Sequence, residues 1–555
     1  MIKSNEYPNM SSSQDAYMNE TGKPSLKSCK FENVLTFANY FTKYNLRTGT
    51  FNTSKKIKYT SQNGGIPLGT LLDSVLVDSS DSHSMILGAT GSKKSRLLVM
   101  PSVRILADAG ESMIISDPKS EIYERTSGYL KQKGYEISVI NLRDPSLGNS
   151  WNPLYIPYLY YKEGDLDKAY EFANDIAANL CLAEISVRDP FWDYSSRDLF
   201  FGLELLLFRY CYENNLETNH ANTANLLRLR NYLFKNYYSS GSNKINDSSS
   251  VLNQYMNEDL ITSSALIGTV NAPERTQSSI LSTFDEKMRC FTINPKLLNM
   301  LSSNAVNLDD IGMKKTAIFI IMPDEKTTYH KLVTLFIKQS YEYIVYTAQK
   351  KSSGILPVRI NYILDEFASL PSIKDFPSMI SASRSRNIRF TLVVQSKHQL
   401  LGKYKEDAST IQSNCNNWIF LTSREVEMLE EISILCGKKN GEKPLVPMDA
   451  LQHLNKEKGE ALILSGRLFP IVSNLTDIKY YDGDQPPSSV PLLSIAQIGN
   501  AIDFSRGIVS QAENSLQEKP VSQELHEPEL DDEIRRELEK KFDELFGPID
   551  DSEDD

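Results

Sequence analysis

From residue 84 onward, short apolar runs alternate with segments of helical periodicity. The runs are four to seven residues long and are often bounded by Gly, Asp or Pro, which is typical of strands buried on both faces of a sheet. We therefore predict an α/β fold with a largely parallel sheet. The predicted strands are Ser84–Leu87, Ser112–Ser116, Glu136–Ile140, Thr316–Met322, Ile360–Leu364, Phe390–Gln395, Trp418–Thr422 and Ala461–Leu464.

The strand pattern disappears between residues 155 and 285. Apolar residues recur there at helical spacing, and an Asn/Ser-rich loop is predicted at Ser239–Ser250. Because strand patterns stand on both sides of this region, we predict an all-α domain inserted into the α/β domain. Its predicted helices are Asp165–Leu182, Asp193–Asn214 and Asn222–Tyr237.

Both ends of the chain are polar. Residues 1–80 are predicted as a polar leader with one short helix near Phe31–Tyr44. From residue 483 the chain is rich in Pro, Ser and Glu and then acidic, so we predict a largely disordered tail. One amphipathic helix is predicted within the tail, with its apolar stripe at Ile534, Leu538, Phe542 and Leu545. The predicted division is 1–80, 81–154 with 286–482, 155–285, and 483–555.

Composition indicates a soluble globular protein of several domains. The chain has 555 residues, of which 40% are hydrophobic and 24% are charged, and this excludes a wholly disordered, collagenous or integral membrane protein. Its six Cys are scattered without a CxxC pair, which favours reduced thiols over disulfides or a zinc site. The first 30 residues lack the apolar core of a signal peptide. The expected location is the cytoplasm.

The net charge of −11 comes from the end of the chain. Residues 510–555 hold 17 acidic and 5 basic residues, a balance of −12, so the other 509 residues sum to +1. Local patches rather than the overall charge therefore decide whether nucleic acid can bind. The acidic tail is either a solubilising segment or a docking site for a basic partner.

A candidate phosphate-binding loop follows the first predicted strand. The sequence matches GxxxxGK[ST] at Gly88, Lys94 and Ser95, where backbone N–H groups would cradle phosphates, the lysine would reach the β- and γ-phosphates, and the serine hydroxyl would hold Mg²⁺. Lys93 stands where the motif expects glycine, so its side chain would either crowd the phosphates or assist them. The alternative is a strand–helix turn with exposed lysines. The predicted cofactor-binding residues are Gly88, Thr90, Gly91, Ser92, Lys93, Lys94 and Ser95.

A pair of acids follows a distant apolar strand. Asp365 would join the Mg²⁺ site, and Glu366 would orient and deprotonate an attacking water. The alternative is that the pair merely caps the following segment. That alternative is weaker because both motifs stand at strand ends, where open α/β sheets bind their ligands.

Two further features lie near the next strand. Gln395 ends it, and an amide there would sense the γ-phosphate or position water, although the strand alone favours an ordinary strand-end glutamine. Arg384 and Arg386 precede the strand. They would contact nucleic-acid phosphates, act as arginine fingers towards a neighbouring subunit, or lie in a solvated loop.

Ordered blocks of sequence from about residue 80 to residue 480 carry a family resemblance. The chain resembles type IV coupling proteins, the TraG/TraD-like ATPases of bacterial conjugation and type IV secretion. Order and number make the set of blocks far more specific than any single motif. The blocks are Gly88–Ser95, Ser116–Glu121, Trp151–Leu154, Phe191–Asp193, Ser279–Asp285, Ile321–Asp324, Leu364–Phe367 and Arg384–Asn387 leading to Gln395.

The resemblance implies a RecA-like nucleotide domain with an inserted all-α domain and assembly into a homo-hexamer. It implies ATP and Mg²⁺ as cofactors, with hydrolysis coupled to moving single-stranded DNA and its attached relaxase towards a secretion channel. Lys94, Asp365, Glu366 and Gln395 are the catalytic residues by this match, and Ser95 and Asp365 hold the metal. Asp117 and Lys119 lie in a family block at a strand end near the site and are weaker candidates for direct contact.

Two departures from the family leave alternatives open. The family usually carries N-terminal membrane helices, and none precedes Gly88, so we expect either action in the cytosol or docking on a separate membrane partner at the inner face of the cell membrane. Lys93 favours a second possibility, a nucleotide-binding adaptor that recruits substrates without turnover. A third is a coupling ATPase for protein effectors, and a fourth, an FtsK-like or packaging translocase, is disfavoured by the inserted helices.

Overall fold

The computed structural model describes residues 30–52, 63–182, 189–234, 259–351, 353–439, 441–466, 468–481, 485–490, 493 and 501–504. By its internal contacts the chain divides into a unit that ends at Ile502 and a second unit, 503–555. Everything below concerns the first unit. The predicted loop Ser239–Ser250 and the predicted tail helix lie outside the described residues.

An antiparallel sheet precedes the main sheet. Its strands are β1 (Thr42–Asn45), β2 (Phe51–Asn52), β3 (Ile66–Leu71) and β4 (Ser74–Asp78), in the order β2-β1-β4-β3. Helix α1 (Val34–Ala38) falls within the range predicted for a helix. This sheet was not predicted from the sequence, because its strands are short and the β3–β4 register shifts between Pro67 and Gly69. Tyr44, Leu68 and Val75 are nevertheless buried in the same core as the main sheet.

The main sheet has nine strands. In spatial order it runs from β15 through β14, β11, β5, β10, β9, β6 and β8 to β7, and a separate hairpin of β12 with β13 stands outside it. The bounds are β5 (His83–Leu87), β6 (Ser112–Asp117), β7 (Glu136–Asn141), β8 (Thr316–Ile321), β9 (Ile360–Leu364), β10 (Ile388–Val394), β11 (Cys415–Phe420), β12 (Lys438–Lys439), β13 (Lys443–Pro444), β14 (Glu460–Ser465) and β15 (Ile471–Asn474).

The predicted parallel-rich α/β fold is confirmed. Strands β11, β5, β10, β9, β6, β8 and β7 are parallel neighbours, and only β14 and β15 add antiparallel pairs at one edge. Every residue of β5, β9 and β10 is buried, which explains why apolar residues predominate on both faces of these strands. The run at 461–464 is a strand as predicted, although it pairs antiparallel.

The region between β7 and β8 is helical. Its described residues, 142–182, 189–234 and 259–315, contain no strand. Two of the helices predicted there, Asp165–Leu182 and Asp193–Asn214, begin and end within two residues of the predicted bounds. The third begins at Thr223, one residue after its predicted start, and its predicted end at Tyr237 lies outside the described residues. The helices are α4 (Tyr155–Glu163), α5 (Leu166–Leu182), α6 (Phe191–Glu213), α7 (Thr223–Phe234), α8 (Leu260–Val270), α9 (Glu274–Lys287), α10 (Arg289–Thr292) and α11 (Pro295–Met300), preceded in the chain by α2 (Met100–Ala109) and α3 (Glu121–Gln132).

Trp151 anchors the helical region to the helix that follows β8. That helix is α12 (His330–Gln349). The buried Trp151 ring meets Phe336 edge-on with 5.2 Å between centroids, and its indole N–H donates to Gln339 Oε1 at 3.3 Å. Gln339 in turn donates to the Pro153 carbonyl at 2.8 Å. The remaining helices are α13 (Phe376–Ala382), α14 (Lys397–Tyr404), α15 (Asp407–Asn414), α16 (Val426–Leu435) and α17 (Met448–Gln452).

Candidate functional site

Four neighbouring parallel strands end at one edge of the main sheet. β5, β10, β9 and β6 lie side by side and point the same way, so their carboxyl ends meet there. The residues that follow these ends are Gly88, Gln395 and Asp365, and Asp117 is the last residue of β6. This edge therefore collects the sequence-predicted loop and acids, in the place where open α/β sheets bind ligands.

The loop after β5 is tied to both neighbouring strands. The Gly88 N–H donates to the carbonyl of Val394 at 3.2 Å, and the Ala89 N–H donates to the carbonyl of Thr422 at 2.8 Å. Lys94 is buried, and its Nζ donates to the carbonyls of Gly88 at 2.6 Å and Ala89 at 3.1 Å. Burial lowers the pKa of Lys94, and the nearby carboxylates oppose that shift. The loop thus curls around the lysine ammonium.

Lys93 points away from the loop. Its φ of 65° is left-handed, a conformation that glycine adopts freely and that costs other residues roughly 1–2 kcal/mol. The loop therefore keeps a glycine-type backbone although the residue is lysine. Its Nζ pairs with Glu457 Oε2 at 2.5 Å. This ion pair directs the side chain to a partner outside the loop. Whether Lys93 crowds or assists bound phosphates stays a prediction.

Ser95 faces Asp365 across the site. The Ser95 hydroxyl lies 3.5 Å from Asp365 Oδ2, at the long limit for a hydrogen bond. Asp365 is buried, and its pKa is raised to about 6, first by burial and then by the neighbouring Glu366. The Asp365 carbonyl accepts from Ser116 Oγ at 2.9 Å, which fixes the end of β9 to the end of β6. The two predicted metal-binding side chains are therefore close together.

A hydrogen-bonded chain links the loop, β10 and β9. Thr90 Oγ1 donates to Gln395 Oε1 at 2.7 Å, and Gln395 Nε2 donates to Glu366 Oε1 at 2.9 Å. Glu366 has a φ of 54°, so the chain turns sharply where the carboxylate leaves the strand. The amide has one orientation that satisfies both partners. Gln395 thus connects the phosphate loop to the acid predicted to activate water.

Asp117 is a buried acid that the sequence analysis ranked low. Its Oδ2 accepts from the Tyr123 N–H at 2.8 Å, and its Oδ1 is buried without a hydrogen-bond partner. Burial raises the pKa of Asp117 to about 7, and the charge of Asp365 adds to that shift. Its position at a strand end was visible in the sequence, but its burial beside Asp365 was not.

The oxygen donors at this edge suit a magnesium ion. Mg²⁺ is bound in nucleotide sites by one or two protein oxygens while phosphates and water complete the shell. The Ser95 hydroxyl and the Asp365 carboxylate are such a pair. Over the described part of the chain, no group of three or more His, Cys, Asp or Glu residues could hold a metal ion on its own. The donor set therefore fits a metal that is shared with a phosphate ligand.

Arg384 and Arg386 lie away from this site within the chain. They precede β10, whereas Gln395 follows it, and seven residues of strand span roughly 20 Å. Arg384 pairs with Asp81 at 3.1 Å, and Arg386 donates to the Ala382 carbonyl at 2.8 Å. The structure therefore does not bring either arginine to the loop of its own chain.

A family model matches most of the chain, and one curated relative is similar to it. The family described as Type IV secretory system Conjugative DNA transfer matches residues 32–444. Conjugal transfer protein TraG of Agrobacterium fabrum is 23% identical over 367 residues, which are 64% of this chain and 51% of the relative, so the chain spans about half the length of this curated relative. No helix within the described residues is long and apolar enough to cross a membrane.

Solved structures share the fold. Plasmid coupling protein TrwB in complex with ADP and Mg²⁺ superposes with a TM-score of 0.56 at 14% identity, over 84% of this chain and 97% of that one. TrwB in complex with the ATP analogue ADPNP gives a TM-score of 0.53 at 13% identity, over 85% and 98%. At such low identity, these likenesses bear on the fold alone.

Proposed function

Because the chain belongs to the type IV secretory system conjugative DNA transfer family, which its residues 32–444 match, we propose that it is the coupling ATPase of a conjugation or type IV secretion system. In this proposal, ATP hydrolysis recruits single-stranded DNA with its bound relaxase and drives it to the transfer channel. The structural core of the proposal is a RecA-like domain of residues 81–154 and 286–482, with residues 155–285 inserted as an all-α domain.

One observation carries the proposal. The chain Thr90–Gln395–Glu366 joins the phosphate loop to an acid at the end of β9, with 2.7 Å and 2.9 Å contacts. A scaffold that only binds nucleotide needs no oriented carboxylate facing its phosphate loop. A hydrolase does, because the attacking water must be aligned and deprotonated.

The residues of the site divide the work of γ-phosphoryl transfer to water. Lys94 offsets phosphate charge, and the N–H groups of the loop bind phosphate oxygens. Ser95 and Asp365 would hold Mg²⁺, which when bound would neutralise negative charge on the phosphates. Glu366 orients the water and takes its proton. Gln395 holds the Glu366 carboxylate and keeps it aligned with the loop.

The partners follow from the family. We propose single-stranded DNA and a relaxase as cargo, channel components of the secretion system as the destination, and a homo-hexamer as the working assembly. TrwB, whose fold the chain shares, is a plasmid coupling protein that binds ADP with Mg²⁺. Arg384 or Arg386 would contact DNA or complete the site of a neighbouring subunit. We propose a cytoplasmic location, with docking on a separate membrane partner as the way to reach the channel.

Hydrolysis by the purified full chain tests the proposal. We expect Mg²⁺-dependent ATP hydrolysis that rises with single-stranded DNA and disappears in Lys94→Ala. A rate of hydrolysis that is unchanged by DNA but rises with a protein cargo would instead support a coupling ATPase for protein effectors. Nucleotide binding without hydrolysis under either condition, in the presence of channel components, would support the recruitment adaptor and would contradict the role given to Glu366.

A further inference from the structure

The turn before β14 reaches back to the phosphate loop. This turn, residues 455–459, carries Glu457, whose carboxylate pairs with Lys93 Nζ at 2.5 Å. The pair spans 364 positions of sequence. Lys93 is largely covered, with 22% of its side chain exposed, whereas Glu457 is 71% exposed. The contact therefore depends on how the turn is held rather than on burial of the carboxylate.

The turn is built to present Glu457. Asn455 Oδ1 accepts from the N–H groups of Glu457 at 3.0 Å and Lys458 at 3.2 Å, an arrangement that fixes the backbone on either side of the glutamate. Gly459 is left-handed, and a Cβ there would come within 2.2 Å of the Leu475 carbonyl, so the turn is also locked against the segment that follows β15. The hydrogen bonds and the close packing of this turn therefore fix the position of Glu457.

A second ion pair joins the same two parts of the structure. Arg96 lies one helical turn after Lys93, and its guanidinium donates to Asp477 Oδ1 at 3.0 Å. Asp477 follows β15, just as Glu457 precedes β14. Both acids therefore lie at the same end of the β14–β15 hairpin, where they pair with Lys93 and Arg96.

The left-handed backbone at Lys93 depends on a stabilising side-chain contact more than it would with glycine at this position. The loop requires a left-handed residue at position 93, and a lysine is strained in that conformation. Relaxation to an ordinary negative φ would rotate the neighbouring peptide groups, whose N–H groups are the ones that face phosphate in a loop of this kind. An anchored side chain opposes that relaxation.

We propose that Glu457 is a positioning residue for nucleotide binding, which holds the Lys93 side chain outward and thereby keeps the phosphate loop in its glycine-type conformation. The positioning role rests on the proposed function only because ADP with Mg²⁺ is taken as the ligand. The effect of Glu457 on the conformation of the loop does not require nucleotide. It explains how this chain uses a lysine where the motif has glycine.

A double-mutant cycle in the full chain tests the proposal with two readouts. The first is amide hydrogen exchange of residues 88–96 without nucleotide, and the second is the Kd for ADP with Mg²⁺. We expect Glu457→Gln to speed exchange and to weaken binding about 2- to 5-fold, in proportion to the modest value of an exposed ion pair. In a Lys93→Gly background the same change should have no further effect, because glycine adopts the left-handed backbone unaided.

The control is the ion pair of Lys397 with Glu431, which has the same 2.5 Å length and joins helices α14 and α16. Glu431→Gln should change neither readout. Unchanged exchange in Glu457→Gln, tighter nucleotide binding, or an undiminished effect in the Lys93→Gly background would each overturn the proposal. If Glu457→Gln speeds exchange but the wild-type chain binds no ADP, the positioning role stands and the proposed function is contradicted instead.

Discussion

Glu366 Oε1 accepts a 2.9 Å hydrogen bond from the side-chain amide of Gln395, and this contact joins the ends of two adjacent parallel strands. The same amide accepts from Thr90 at 2.7 Å. A carboxylate restrained in this way faces the phosphate loop in one orientation. The arrangement gives separate, measurable roles to the acid, the amide and the loop.

Glu366→Gln should separate binding from hydrolysis. The amide keeps the size of the side chain but cannot take a proton from water, and a general base contributes roughly 10²–10⁴-fold to a rate. We expect ATP turnover to fall by about that factor while the Kd for ADP with Mg²⁺ stays within about twofold of wild type. Glu442→Gln, a change at an exposed glutamate, serves as the control. Full activity in Glu366→Gln would assign the base to another residue.

Lys94→Ala should remove nucleotide binding. Its buried ammonium is the cation enclosed by the loop, and charged hydrogen bonds to phosphate are among the strong ones. We expect at least a tenfold increase in the Kd for ADP, measured by calorimetry, and no detectable turnover. Lys403→Ala, at an exposed helix position, controls for the loss of a positive charge. Binding retained in Lys94→Ala would mean that the loop is not the phosphate site.

Thr90 and Gln395 should act as one unit. Thr90→Val and Gln395→Ala each break the chain that holds Glu366, so we expect each to lower kcat about tenfold with little effect on KM. The double variant should be no worse than the poorer single variant, because groups that share a network are not additive. Steady-state kinetics of the four proteins measure this. Fully additive losses would show that Thr90 and Gln395 work independently.

Asp117→Asn should stabilise the protein at alkaline pH. Burial raises the pKa of Asp117 from 3.8 to about 7, so its favourable contribution is present below pH 4 and is lost as pH rises through 7. The neutral amide of Asn does not lose this contribution. The free energy of unfolding at pH 8 should therefore rise by at most about 4 kcal/mol. Chemical unfolding at pH 5 and pH 8 compares the two proteins.

The matched control for that experiment is Asp144→Asn. Hydrogen bonds from Ser146 lower the pKa of the partly exposed Asp144, so the pH dependence of its contribution to stability is opposite. That contribution is present above the unfolded pKa and is lost only under acid conditions. A stabilisation of Asp117→Asn that is equal at both pH values would show that the carboxyl is not buried in its charged form.

Sequence alone predicted the strands of the sheet interior because both faces of each strand are buried. It also placed Lys94, Ser95, Asp365 and Glu366 at strand ends. It could not give the lateral order of the strands, which is what puts Gln395 between the loop and the acids. Strand-end glutamines are common, so the local sequence pattern left the role of Gln395 open. Its hydrogen bonds to Thr90 and Glu366 distinguish it from an ordinary strand-end glutamine.

Other features depend on long-range packing that no local pattern encodes. Glu457 meets Lys93 only because an antiparallel edge folds back beside the loop. The unpartnered oxygen of Asp117 reflects burial by several elements at once. The small N-terminal sheet was not predicted because its strands are short and the pairing of β3 with β4 has an irregular register.

The position of β5 in the sheet has a consequence for how the protein is made. Its partners in the sheet are β10 and β11. Ile86 therefore cannot pair with Val393 and Ile419 until these residues, more than three hundred positions later in the chain, have left the ribosome. Until then both edges of an apolar strand stay unpaired, and such edges favour aggregation. The phosphate loop therefore takes shape late in synthesis, and truncated chains that end before residue 388 should lack it altogether and depend on chaperones to stay soluble.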